Sequence, residues 1–159
     1  MSVYDTRRCL ASWPMPEIGP THDRLAAFAG RWTGTEVLAP SPWSEGGSAS
    51  ATMSFATAAG GFALVQDYRS DTGLTGHGVF SAIGDEVLWH WFDSIGYPPE
   101  TPARGEWAGD TLTLTRTSPR GTNRTTFALT GETLTQTIEF NGETLVEAAY
   151  TRGPSTKGR

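Results

Sequence analysis

A chain of 159 residues with a formal net charge of -5 is expected to be one domain, long enough to bury a real core. Its 12 Lys and Arg residues are scattered rather than clustered, which leaves no basic face for a phosphate backbone and excludes nucleic acid as a partner. A charged fraction of only 18%, with Gly at 19 and Pro at 10, favours many short strands and tight turns over long helices.

Residues 1–20 carry Pro14, Pro16 and Pro20 around Trp13 and Met15, which reads as an extended arm. An exposed Trp13 would make a homodimer plausible. The opening MSVYDTRRCL has no continuous apolar core and is not expected to act as a secretory signal. Cys9 is the single cysteine, so no internal disulfide is possible. No apolar run approaches the roughly 20 residues that span a bilayer. The expectation is a cytoplasmic chain with no membrane partner.

From Thr21 the pattern turns helical: Thr21 can cap, Asp23 sits in the first turn, and Leu25, Phe28 and Ala29 form an i, i+3, i+4 stripe before Gly30. So short a helix must dock on something larger. His22 at its start is expected to be solvated.

Strands follow. They are expected over Trp32 to Leu38, Ser48 to Thr57, Phe62 to Ser70, Leu74 to Ala82 and Val87 to Gly96. After a proline-rich break at Tyr97 to Pro102 come Glu106 to Ala108, Thr111 to Thr117, Arg124 to Thr130, Thr133 to Phe140 and Glu143 to Arg152. The turns echo one another: Gly109-Asp110-Thr111-Leu112, Gly131-Glu132-Thr133-Leu134 and Gly142-Glu143-Thr144-Leu145. Asn141-Gly142 is the strongest hairpin signal in the chain. About ten sequential strands with no βαβ alternation predict an all-β, single antiparallel up-and-down barrel with a short N-terminal helix over 21–153, followed by a polar tail at 154–159. Closure would remove the sheet edges that so many Thr-rich strands would otherwise expose.

Strand alternation then sorts the side chains. If Trp32 points inward, so do Gly34, Glu36 and Leu38. By the same logic Phe62, Leu64, Gln66 and Tyr68 form an inward row, as do Leu112, Leu114 and Arg116, Phe127 and Leu129, and Leu134, Gln136, Ile138 and Phe140. In Val87 to Gly96 both parities are apolar, which predicts a strand covered on both faces. Trp89, Trp91 and Asp93 share one face; Leu88, His90 and Phe92 share the other. We assign the tryptophan face to the interior.

The candidate ligand-binding residues are therefore Glu36, Gln66, Tyr68, His77, Trp89, Trp91, Asp93, Arg116 and Gln136. An inward Arg116 requires a carboxylate, a ligand anion or water, unless it sits near a barrel mouth and reaches solvent. His77 lies between Gly76 and Gly78, which leaves room around its ring for a ligand or for proton transfer; backbone hydrogen bonding is the blander role. Asp93-Ser94 before Gly96 also reads as turn capping. No nucleophile elbow, paired metal-ligand spacing or phosphate-binding loop occurs, so neither a catalytic nor a metal site is assigned. A largely apolar interior with a few polar groups is the pattern of a small-molecule pocket. Two alternatives stand beside it. One is an isomerase or lyase using His77 or Asp93 as base; the other is a structural module with a filled core.

Several stretches also carry a family likeness. Gly30-Arg31-Trp32 after a short helix, with Tyr150-Thr151-Arg152 at the end of the meander, resembles the calycin superfamily of lipocalin-like barrels. That resemblance implies an arginine packed over the tryptophan as a cation–π lid on the closed end. Ala29-Gly30-Arg31-Trp32-Thr33-Gly34, Ala59-Gly60-Gly61-Phe62, Gly76-His77-Gly78, Trp91-Phe92-Asp93-Ser94-Ile95-Gly96 and Glu147 with Tyr150 and Arg152 together resemble a bacterial lipocalin-like family, domain-of-unknown-function family fifteen-seventy-nine. It implies a barrel and no established activity. The nitrobindin-like haem barrels are similar at Gly30-Arg31-Trp32, but hold haem through a last-strand histidine. Thr144 to Tyr150 here has none, with Leu145 at about the matching place, so no cofactor is expected and haem is disfavoured.

Overall fold

The computed structural model describes residues 15–42, 45–98 and 101–154. Trp13, Cys9 and most of the N-terminal arm and polar tail lie outside the described residues. Helix α1 (Pro20–Ala26) precedes ten strands: β1 (Gly30–Leu38), β2 (Gly47–Ala58), β3 (Ala63–Ser70), β4 (Thr75–Ile83), β5 (Glu86–Asp93), β6 (Ala103–Ala108), β7 (Thr111–Ser118), β8 (Gly121–Thr130), β9 (Thr133–Phe140) and β10 (Glu143–Arg152). Each strand pairs antiparallel with its neighbours in sequence, and β1 pairs with β10 to close the barrel. The three echoed turns have one cause. Gly109, Gly131 and Gly142 all adopt positive φ, which an L side chain resists and a two-residue hairpin requires.

Alternation works as expected on most strands. Ala49, Ala51, Met53 and Phe55 of β2 are buried, as are Leu112 and Leu114 of β7 and Leu134 and Gln136 of β9. The half of the barrel nearest α1 is filled by aromatic rings. Phe28 lies 5.4 Å from Trp107 and 5.5 Å from Phe55, and Phe80 stacks on Trp89 at 5.5 Å. Trp32, wholly buried, donates its indole N–H to the Phe28 carbonyl at 2.8 Å. The Arg152 guanidinium sits 4.4 Å from the Trp32 ring centroid and donates to the carbonyls of Ala29 and, at 3.0 Å, of Ala27. Its Nε lies 3.2 Å from Glu132 Oε2, close enough for an ion pair though not aligned as a hydrogen bond. The lid implied by the family likeness is therefore present, and it ties the first strand, the last strand and the helix exit together.

Four local expectations are corrected. The helix ends at Ala26, and Thr21 lies inside it rather than capping it; Gly19 holds the cap position and the Thr21 hydroxyl donates to the Gly84 carbonyl at 2.9 Å, docking α1 on the β4–β5 turn. His22 is not free in solvent. Its Nδ1 accepts from the Gly19 N–H at 3.1 Å and its ring meets Phe62 edge-on at 5.4 Å. Phe62 in turn does not join the inward row, because a 3-10 turn at Ala59–Gly61 delays β3 to Ala63 and leaves that ring on the surface. Finally, β5 is not covered on both faces: His90 is exposed and Phe92 is 48% exposed. A closed barrel buries one parity of each strand, and nothing compels the other to be polar.

Candidate functional site

Toward the barrel end away from α1 the aromatic filling stops. There the interior holds a cavity of about 310 Å³, lined by Glu36, Leu38, Gln66, Tyr68, Leu74, Trp89, Trp91, Asp93, Ala103, Leu114, Arg116, Asn123, Thr125, Gln136, Ile138 and Val146. Eight of the nine candidate residues are on this surface; His77 is not. A larger concavity of about 670 Å³ lies outside the wall, over Thr52, Asp67, Arg69, His77 and Phe92. It is a shallow polar groove that would leave an apolar ligand in water, so the smaller, partly enclosed space is the better site.

Two glycines create the tryptophan wall. Gly76 pairs with Asp93 and Gly78 with Trp91 across the β4–β5 ladder. A Cβ at Gly76 would lie 2.2 Å from Trp91 Cη2 and Cζ2, and one at Gly78 would lie 2.5 Å from Gln66 Oε1 and 2.6 Å from Trp89 Nε1. The room made by the Gly76-His77-Gly78 pattern is therefore on the inner face, where the indoles take it. His77 points outward, about half exposed, with Nδ1 2.9 Å from Asp67 Oδ1. His77 therefore faces the outer groove and not the interior cavity, where an interior ligand or an interior base would have to stand. His90 also faces outward and His22 sits at α1, so none of the three histidines lines the cavity. Among the described residues no three His, Cys, Asp or Glu side chains group to hold a metal ion.

The polar groups of the cavity divide into committed and uncommitted sets. Gln66, 1% exposed, accepts from Trp89 Nε1 at 3.2 Å and donates to Met53 Sδ at 3.3 Å. It fixes the wall rather than offering a free handle. Asp93 accepts from Trp91 Nε1 at 3.0 Å through one oxygen and from the Ile95 N–H at 3.1 Å through the other. Asp93 thus ends β5 as a turn cap and orients Trp91 at the same time. Glu36, 7% exposed, accepts a short hydrogen bond from the Tyr68 hydroxyl, and Tyr150 contributes a second hydroxyl to it. Burial raises the Glu36 carboxyl above its usual range, the tyrosine hydrogen bonds oppose that rise, and the nearby Asp71 charge adds to it. Burial and the Glu36 charge together hold the Tyr68 and Tyr150 phenols above theirs.

Across from this wall, β7, β8 and β9 present groups with no side-chain partner among the described residues. Arg116 forms no ion pair or side-chain hydrogen bond with the described residues, and neither does the buried Gln136 amide. Arg116 stands opposite Asn123 in the β7–β8 ladder and reaches the mouth as well as the interior. Both sequence readings of Arg116 thus describe part of its position.

The sequence missed Asn123, Ala103 and Tyr150. Asn123 and Ala103 fall in segments expected to be turns, because β8 starts at Gly121 rather than Arg124 and β6 at Ala103 rather than Glu106. Tyr150 shares the parity of Ala148, and counting inward residues along the last strand would have placed it beside Glu36, its neighbours in the β1–β10 ladder being Gly34 and Ala148's partner Glu36.

No family model and no curated protein sequence matches the chain. Solved structures share the barrel. The crystal structure of Rv2717c from M. tuberculosis matches with a TM-score of 0.68 at 14% identity, over 87% of this chain and 100% of that one. A protein of unknown function from the DUF3598 family of Nostoc punctiforme PCC 73102 matches at 0.59 and 15%, over 90% of this chain and 53% of that one, so the present chain spans about half its length. A Schistosoma mansoni fatty acid binding protein in complex with arachidonic acid matches at 0.57 and 16%, over 82% and 99%. At these identities the likeness establishes the fold, which among the described residues is a closed ten-strand antiparallel barrel with one short helix.

Proposed function

We propose that this barrel binds a small, largely apolar molecule in its interior, laid against Trp89 and Trp91, with Arg116 and Gln136 as polar handles. The observation that carries the reading is the partly enclosed space of about 310 Å³ in which apolar walls meet uncommitted polar groups. Its volume lies at the low end of the roughly 300–1,000 Å³ usual for ligand pockets, which favours compact ligands. A filled-core module would have no such space. Gln136, 8% exposed, lines this space and has no hydrogen-bonding side-chain partner among the described residues, so its amide can take its hydrogen bonds from water or a ligand there. The fatty acid binding protein with the same fold supports an apolar guest.

The test is titration of the purified chain with octan-1-ol, followed by tryptophan fluorescence. A saturable change of one-to-one stoichiometry is expected, and it should be strongly reduced in Trp91→Phe. A linear, unsaturable response would overturn the reading.

A further inference from the structure

Arg116 stands between two spaces. Inward it lines the interior cavity; outward it lines a recess of about 250 Å³ at the mouth, with Tyr97, Thr101, Ser118 and Arg120. The Arg120 guanidinium lies 4.6 Å over the Tyr97 ring, a contact that directs its charge without neutralising it. Neither guanidinium forms an ion pair or side-chain hydrogen bond with the described residues. The carboxylates that share the cavity cannot serve, because Glu36 is held by tyrosine hydroxyls and Asp93 by Trp91 and the Ile95 N–H. Among the described residues the result is a separation of roles around the mouth: the carboxylates of the cavity are occupied, and two cationic donors and the Asn123 amide are not. A half-buried cation without a counter-ion favours an anion, and a planar guanidinium binds an oxyanion through two parallel hydrogen bonds.

We infer that the ligand is an amphiphile with one anionic head, its apolar tail in the interior against Trp89 and Trp91 and its head in the recess between Arg116 and Arg120. This rests on the interior-binding reading above. It adds a ligand class: an oxyanion head, either a carboxylate or a phosphate monoester, on a short apolar chain.

Calorimetric titration of the full chain with four probes of one chain length tests it: octanoate, octyl phosphate, octan-1-ol and octylammonium, at neutral pH. Octanoate or octyl phosphate should bind about tenfold more tightly than octanol, equivalent to about 1.4 kcal/mol, and octylammonium should bind most weakly. The comparison of the two anions identifies the head. In Arg116→Met the ratio of octanoate to octanol affinity should fall to near one, and Arg120→Gln, an exposed change that leaves the barrel wall intact, should lower it several-fold. High salt should weaken octanoate and leave octanol alone. If octanol binds as tightly as both anions, or both variants keep the anion preference, the anionic head is wrong while interior binding stands. If none of the four binds, interior binding fails and this inference fails with it.

Discussion

Gly76→Ala is the smallest change that tests how the tryptophan wall is built. In an ordinary strand, replacing glycine by alanine stabilises by roughly 0.5–1 kcal/mol, because the unfolded chain loses freedom. Here the new methyl would sit 2.2 Å from two atoms of the Trp91 ring, whereas carbon atoms settle at about 3.5–4.0 Å. The ring must withdraw by roughly 1.3 Å or more. It is held by its hydrogen bond to Asp93 at 3.0 Å and crowded by Trp89, 5.4 Å away between centroids. Overpacking of this kind costs about 1–3 kcal/mol, so the net change should be a loss of about 1–2 kcal/mol. For a chain of 159 residues that corresponds to a melting temperature lower by roughly 3–8 °C. The assay is thermal unfolding of Gly76→Ala, Trp91→Phe and the double variant. Phenylalanine lacks the two ring atoms that clash, so Gly76→Ala should cost little or nothing in the Trp91→Phe background, giving a coupling of about 1–2 kcal/mol. An unchanged or raised melting temperature for Gly76→Ala alone, or an equal loss in both backgrounds, would refute the reasoning.

Three further outcomes follow from the same geometry. Glu36 binds its proton more tightly in the fold than in the unfolded chain, so its contribution to stability is present below the ordinary value of 4.5 and is lost as pH rises through the raised folded value. Glu36→Gln should therefore gain stability relative to the native chain as pH rises through that window, and urea unfolding across a pH series should show the two curves diverging; parallel curves would count against a raised carboxyl. Arg152→Lys keeps the charge but loses the guanidinium fork that bonds Ala27 and Ala29, and should cost about 1–3 kcal/mol in urea unfolding. His77→Ala, on the outer face, should leave octanol affinity within twofold; a tenfold loss would mean the histidine reaches the ligand after all.

Much of the barrel was legible because its signals are local. Hairpin turns at Gly109, Gly131 and Gly142 mark strand entries, and period-two alternation fixes which of Gln66, Arg116 or Gln136 faces in once the sheet closes. What the sequence obscured depends on neighbours far along the chain. Gly76 and Gly78 announce a space, but only the β4–β5 register shows that Trp91 and Trp89 fill it from the inner side while His77 turns out. The Glu36 cluster joins β1, β3 and β10, so no local pattern could link Tyr68 with Tyr150. The covered appearance of Val87 to Phe92 misled for a related reason. Leu88 is buried, but beyond it the outer parity meets solvent with apolar side chains, and polarity alone could not reveal the wall's orientation.

The most direct test of interior binding is a crystal structure of the chain soaked with 8-bromooctanoate, read at the bromine absorption edge. The account predicts one strong anomalous peak inside the barrel, between Trp89, Ala103 and Leu114, at the deep end of the cavity. A bromine located only in the outer groove beside His77 and Phe92, or no ordered bromine at saturating ligand, would contradict it.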